Sequence, residues 1–182
     1  MRTTFILSLA AAATLSACGA MHGGMHAMHG HGSGPMARAA LEPTKGNTTA
    51  GTVMFHANAD GVFMHARVTG LKPGQEHGFH IHEKGDCASG DGMSTGGHFN
   101  PTAKPHGPQD ADHHAGDLPA LKADANGVVD LKVAVRGLAI GQGATDIVGR
   151  GLIVHAMPDD YKTQPTGNSG ARIACAVIQR MR

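Results

Sequence analysis

Apolar residues alternate with polar ones in several short runs of this 182-residue chain, the period of a half-buried β-strand. The runs at 52–56 and 62–68 flank Asn58-Ala59-Asp60-Gly61, whose Asp-Gly pair is a strong hairpin signal. Leu71-Lys72-Pro73-Gly74 turns the chain into a third run, 76–83. Asp124-Ala125-Asn126-Gly127 turns it into a fourth, 128–135, and runs at 151–155 and 171–178 complete the set. Seven or eight strands separated by turn signals predict an all-β sandwich or flattened barrel. Two stretches, 84–118 and 156–170, break the rhythm and are rich in Gly, Pro, His and Asp. Loops of that length inside a compact domain are usually functional or disordered, and these two hold most of the candidate ligands.

The chain begins differently. Arg2 precedes an apolar run at 5–15, too short to span a bilayer, which closes on Leu15-Ser16-Ala17-Cys18. This looks like a bacterial lipoprotein signal peptide over 1–17, with Cys18 lipidated as the mature N-terminus. The expected location is therefore the bacterial cell envelope, periplasm-facing and lipid-anchored, and Gly19 after the cysteine favours the outer membrane. Residues 18–38 have no period that could bury a face and read as a flexible linker; the folded domain is expected over 39–182. With Cys18 lipidated, Cys87 and Cys175 remain as an even pair in an oxidising compartment, and a disulfide between them is predicted.

Composition adds two constraints. Lys and Arg number 15 against 14 Asp and Glu, so a net charge of +1 implies no bulk attraction to nucleic acid. Histidine is abundant, with 14 residues. Four of these, His22, His26, His29 and His31, lie in the linker with Met21, Met25, Met28 and Met36. Imidazole and thioether together suit copper in both redox states, so metal capture and an inert solvated tether both stand as readings of that segment.

The remaining histidines are ordered rather than merely numerous. His80-Ile81-His82 puts two imidazoles on one face of a strand, since residues two apart share a face. His98 and His106 lie in the first long loop, followed by His114-Ala115-Gly116-Asp117, and His155 ends a later strand. Imidazoles suit copper and zinc, and a carboxylate among them fits tetrahedral zinc. His77, His56 and His65 are read as hydrogen-bonded structural or ordinary strand residues, and His113 as exposed.

Four motifs carry a close resemblance to the copper/zinc superoxide dismutase family: His-Gly-Phe-His-Ile-His-Glu (77–83), Gly-Gly-His-Phe-Asn-Pro (96–101), His-Ala-Gly-Asp (114–117) and Gly-Asn-Ser-Gly-Ala-Arg-Ile-Ala-Cys (167–175). The resemblance implies an eight-stranded Greek-key barrel, an Ig-like sandwich with two long functional loops. It implies copper held by His80, His82, His98 and His155, and zinc held by His98, His106, His114 and Asp117, with His98 bridging. Asp159 would orient His80 and His106 from outside the ligand set. Cys87 and Cys175 fall where the family places its disulfide, and Arg172 where it docks a small anion.

The implied activity is superoxide dismutation by alternate reduction and oxidation of copper, with superoxide as substrate and zinc in a structural part. The reduced copper would release His98, whose freed nitrogen takes a proton and passes it to the peroxide. Where eukaryotic members carry a steering lysine this chain has Pro165, and Lys84 and Lys162 are candidate substitutes. A non-catalytic copper-binding or copper-delivery protein on the same scaffold is the alternative. Oligomeric state is left open, with a homodimer as the candidate assembly.

Overall fold

The structure is a computed structural model that describes residues 34–59 and 61–182. The expected signal peptide, Cys18 and the four histidines of the expected linker lie outside the described residues. Ten strands and one short 3-10 turn, Met93–Thr95, make up its regular elements. The strands are β1 (Met36–Pro43), β2 (Ala50–Asn58), β3 (Gly61–Thr69), β4 (Glu76–His77), β5 (Phe79–His82), β6 (Leu121–Lys122), β7 (Val129–Val135), β8 (Gly151–His155), β9 (Arg172–Val177) and β10 (Gln179–Arg180).

Eight of them form one curled antiparallel sheet in the order β5-β8-β9-β1-β2-β3-β7, with β10 pairing to β1 beside β9. The pairings β3 to β7 and β5 to β8 skip intervening strands, the connectivity of a Greek key. β1 closes the curl, pairing with β2 along most of its length and with β9 and β10 on its other side. The predicted all-β class is observed.

Alternation explains which faces meet. Val53 and Phe55 of β2, and Val62, Met64, Ala66 and Val68 of β3, all point into the core. A fully buried Phe or Met contributes roughly 1.5–3 kcal/mol. Sequence patterning did not indicate β1, which begins at Met36, inside the segment read as linker. Its core positions are Ala37, Ala39 and Leu41, and alanine gives only a faint alternation even though both alanines are fully buried.

β5 and β8 are buried on both faces. Phe79 and Ile81, with Leu152 and Val154, face the core. His80, His82 and Ile153 point the other way, and the two long loops, 83–120 and 156–171, cover them. That coverage makes a buried polar compartment outside the sheet.

Candidate metal centre

The first long loop is held against β5 by backbone bonds. Ile81 donates its N–H to the Gly116 carbonyl (2.8 Å), and Phe99 donates to Ile81 (2.8 Å). Isolated bridges set His82 beside His98 and His80 beside Asp117. Glycine is required at 116, where a Cβ would fall 2.2 Å from the Ile81 carbonyl oxygen. On β8, the register shifts between Val154 and His155, and such a bulge re-aims a side chain. His155 thereby joins the two histidines of β5.

Three buried groups of donor atoms result, each with all atoms within 4.8 Å of one another: His80, His82, His98 and His155; His98, His106, His114 and Asp117; and His80, His106 and Asp159. Hydrogen bonds fix the first group's rings. His82 donates from Nδ1 to the Gly96 carbonyl (2.9 Å), and His155 from Nδ1 to the Gly170 carbonyl (3.2 Å). His80 donates from Nε2 to Asp159 Oδ2 (2.6 Å). Each neutral ring has one N–H, so the other nitrogen carries a lone pair. Those nitrogens, Nδ1 of His80 and Nε2 of His82 and His155, are buried without a hydrogen-bond partner, as is Nε2 of His98. Four buried lone-pair positions converging without donors fit a cation, and imidazole suits copper.

The second group meets a sharper test. Asp117 Oδ1 lies 2.9 Å from His98 Nδ1, 3.0 Å from His106 Nδ1 and 3.3 Å from His114 Nδ1. His98 Nδ1 and His114 Nδ1 are 3.5 Å apart. A tetrahedron with metal–ligand bonds of about 2.0 Å has edges of about 3.3 Å, so the spacings fit zinc. His106 Nδ1 makes no hydrogen bond at its 3.0 Å separation, because its ring is not directed for one. The other oxygen, Oδ2, accepts from the backbone N–H of His114 (2.9 Å) and of Gly107 (3.2 Å). His98 belongs to both groups, Nδ1 to one and Nε2 to the other.

Asp159 ties the groups together, accepting from His80 on one oxygen and from His106 Nε2 on the other (2.9 Å). At the edge of the first group stands Arg172, which opens β9 opposite His155. Its guanidinium donates to the Gly92 carbonyl (2.7 Å), Thr95 Oγ1 (2.8 Å) and the Gly96 carbonyl (2.8 Å). Cys87 and Cys175 are disulfide-bonded, joining the first long loop to β9.

A family model described as copper/zinc superoxide dismutase matches residues 49–178. The chain belongs to the copper/zinc superoxide dismutase family. A curated relative, the superoxide dismutase-like protein YojM of Bacillus subtilis (strain 168), is 43% identical over 124 residues, 65% of this chain. The chain spans 63% of that relative's length. Among solved structures, a double mutant of a SOD-like protein from Bacillus subtilis, with a tyrosine and a proline each replaced by histidine, aligns with TM-score 0.71 and 40% identity. It covers 78% of this chain and 96% of that one. The clock protein EA4 aligns with TM-score 0.73 and 38% identity over 83% of this chain and 98% of its own.

The electrostatics of this superoxide dismutase-family site divide it. Burial, only partly offset by the bond to Asp159, lowers His80 to about 4. Burial and the neighbouring His80 lower His155 to about 3, and His82 is lowered by burial as well. These rings stay neutral and available as ligands. At His106 burial also acts downward, but Asp117 and Asp159 on either side outweigh it and raise the ring to about 9. Burial would raise both carboxyls, yet the adjoining imidazoles hold Asp117 and Asp159 well below the usual carboxylate range.

All residues expected in the family's ligand set are brought together. His113 is half-buried rather than exposed, and its Nδ1 bonds the His114 carbonyl (2.6 Å) outside the clusters. His77 is buried and donates from Nδ1 to the carbonyl of His155 (2.8 Å). Lys84 and Lys162 are exposed. Sequence reading missed the supports. Tyr161 stacks on His106 at 6.4 Å and gives its backbone N–H to Asp159 (2.7 Å). Gln164 clamps His106 through both backbone groups. Arg150 lies 4.3 Å over the ring of Phe99, next to His98. Gln109 bonds the Asp117 carbonyl. None of these has a local spacing signal, because each acts across the fold.

Proposed function

We propose that this chain is a superoxide dismutase that uses copper at His80, His82, His98 and His155 and zinc at His98, His106, His114 and Asp117. The observation that carries the reading is His98, buried with one ring nitrogen in each donor group. Bound copper supplies a one-electron redox couple, by which one superoxide leaves as dioxygen and a second as hydrogen peroxide. The protein's own part is proton and anion handling. His98 Nε2 is the bare nitrogen on the copper side, where it can hold a proton and give it to a reduced oxygen anion. Nδ1 faces the other donor group beside Asp117, where bound zinc would keep the ring oriented while it does so.

Arg172 is the anion dock. Three of its five N–H donors are used to hold the guanidinium in place, and two remain for a small anion. The Gly96 carbonyl accepts from both Arg172 and His82, so the docking charge is referenced to a copper ligand through one atom. A charge fixed in this way costs little reorganisation when substrate arrives.

A second reading is a non-catalytic copper-binding or copper-delivery protein, prompted by the curated relative's name, superoxide dismutase-like. Dismutation by protein loaded to full copper and zinc occupancy is the expected result; inactivity at full occupancy favours the second reading. The same proposal places the enzyme in the bacterial envelope, anchored by lipid on Cys18. Labelled palmitate should enter the wild-type chain and not Cys18→Ser, and label surviving the substitution would exclude the anchor.

A further inference from the structure

The outer face of the main sheet carries a second set of metal-compatible side chains, remote in sequence from the buried clusters. Met36 of β1 stands directly opposite His56 of β2, which stands opposite Phe63 of β3. On the other side of β1 the register Ala37 to Arg180 continues one step to Met181, whose N–H donates to the Met36 carbonyl (2.8 Å). One cross-strand row thus reads Met181, Met36, His56, Phe63. The core-facing residues of β1 and β2 are Ala37 and Phe55, so alternation puts Met36 and His56 on the outer face.

Three features of the row point to a ligand. Met36, Phe63 and Met181 are 36%, 38% and 39% exposed, three of the six large hydrophobic side chains that stand out in solvent among the described residues. His56, read from the sequence as an ordinary surface or satisfied strand position, has a buried Nε2 with no hydrogen-bond partner. Directly opposite residues place their Cβ atoms about 4.5–5.5 Å apart, so Met36 has His56 on one side and Met181 on the other, and methionine's three rotatable bonds let the Met181 sulfur lean across Met36 toward the imidazole. Met54, two residues before His56 on the same face, adds a third thioether nearby.

We propose that Met36, His56 and Met181 form a surface site for copper(I). Thioethers select soft copper(I), and imidazole completes a neutral three-ligand set. The row contains no carboxylate to recommend it to zinc, calcium or magnesium. The site lies outside the buried clusters and does not depend on the dismutase reading.

The test is a titration of the full chain, its buried clusters already loaded with copper and zinc, with silver(I) as a redox-stable probe of the same charge and softness. Methionine methyl and histidine ring NMR signals are followed residue by residue. The expected result is that Met36, Met181 and His56 move together and saturate with about one silver ion per chain. A Met36→Leu, Met181→Leu double variant, which keeps the surface apolar, should lose that ion while retaining its copper and zinc. Unmoved Met36 and Met181 signals overturn the proposal, as do shifts at both that survive His56→Ala, since thioethers responding without the imidazole are not this site.

Discussion

A single carboxylate, Asp159, accepts a proton-bearing nitrogen from one ring of each donor group. Replacing it with asparagine keeps the shape but sets an NH2 against one ring and removes the charge that strengthens the bond to the other, so both rings are held less firmly. Partners of this kind are worth about 10- to 100-fold in metal affinity. Asp159→Asn is therefore expected to weaken zinc and copper binding together by about that factor in chelator competition. Weakening of one metal alone would show that the two rings are held independently. Gly167 guards the same carboxylate. A Cβ there would lie 1.9 Å from Asp159 Oδ1 and 2.5 Å from His106 Nε2, at a φ of +63°. Gly167→Ala should therefore displace Asp159 and mimic the asparagine variant's loss of metal with its carboxylate intact. Unchanged metal affinity in Gly167→Ala would contradict this account. Five of the seven candidate ligands were legible in the sequence because they sit inside short motifs, whereas His106 and His155 lie outside the motifs and were assigned through the family resemblance. Tyr161, Gln164 and Arg150 were not legible, since their partners are distant along the chain.

At the level of elements, the strands with Val, Ile and Phe at alternating positions were readable, and β1 was not, because its inward residues are mostly alanine. β6 and β10 have two residues each, too few for any period to show. The two long loops were recognised by their missing period, but not their packing, which depends on backbone bonds such as Phe99 to Ile81. The disulfide acts at this scale. Cys87 and Cys175 are 88 residues apart in sequence, and closing a loop of that length lowers unfolded-chain entropy by about 4.5 kcal/mol. Cys87 lies between Glu83, which caps β5, and the 3-10 turn whose Gly92, Thr95 and Gly96 hold Arg172. A Cys87→Ser, Cys175→Ser double variant is expected to lose up to about 4.5 kcal/mol in denaturant unfolding. Amide exchange should quicken first around 86–96, and uniform quickening across β2 and β3 instead would mean that the bond serves the whole sheet rather than the loop.

For the whole molecule, the buried imidazoles set how stability follows pH before any metal is added. His80 and His155 titrate near 4 and 3 when folded, against an ordinary 6.5. Between those values the unfolded chain takes up protons that the folded one refuses, so stability falls with pH below about 6.5 by about 1.4 kcal/mol per pH unit for each ring. Asp117 and Asp159, held low, extend that loss further into acid. His106 acts oppositely. Its folded value of about 9 means that the folded chain keeps a proton that the unfolded one releases, so its stabilisation is complete below 6.5 and is lost as pH rises through 9. Both limbs meet near pH 6.5, where the metal-free protein should have its highest Tm. Metal binding displaces the proton from His106, because a ligand nitrogen must give up its hydrogen. Loading should therefore flatten the alkaline limb while leaving the fall in acid, where protons compete with the metals for the same nitrogens. Melting curves of metal-free and loaded protein from pH 4 to 9 test both halves. A metal-free Tm that keeps rising from pH 6.5 to 9 would refute the assignment of a protonated His106 between two carboxylates.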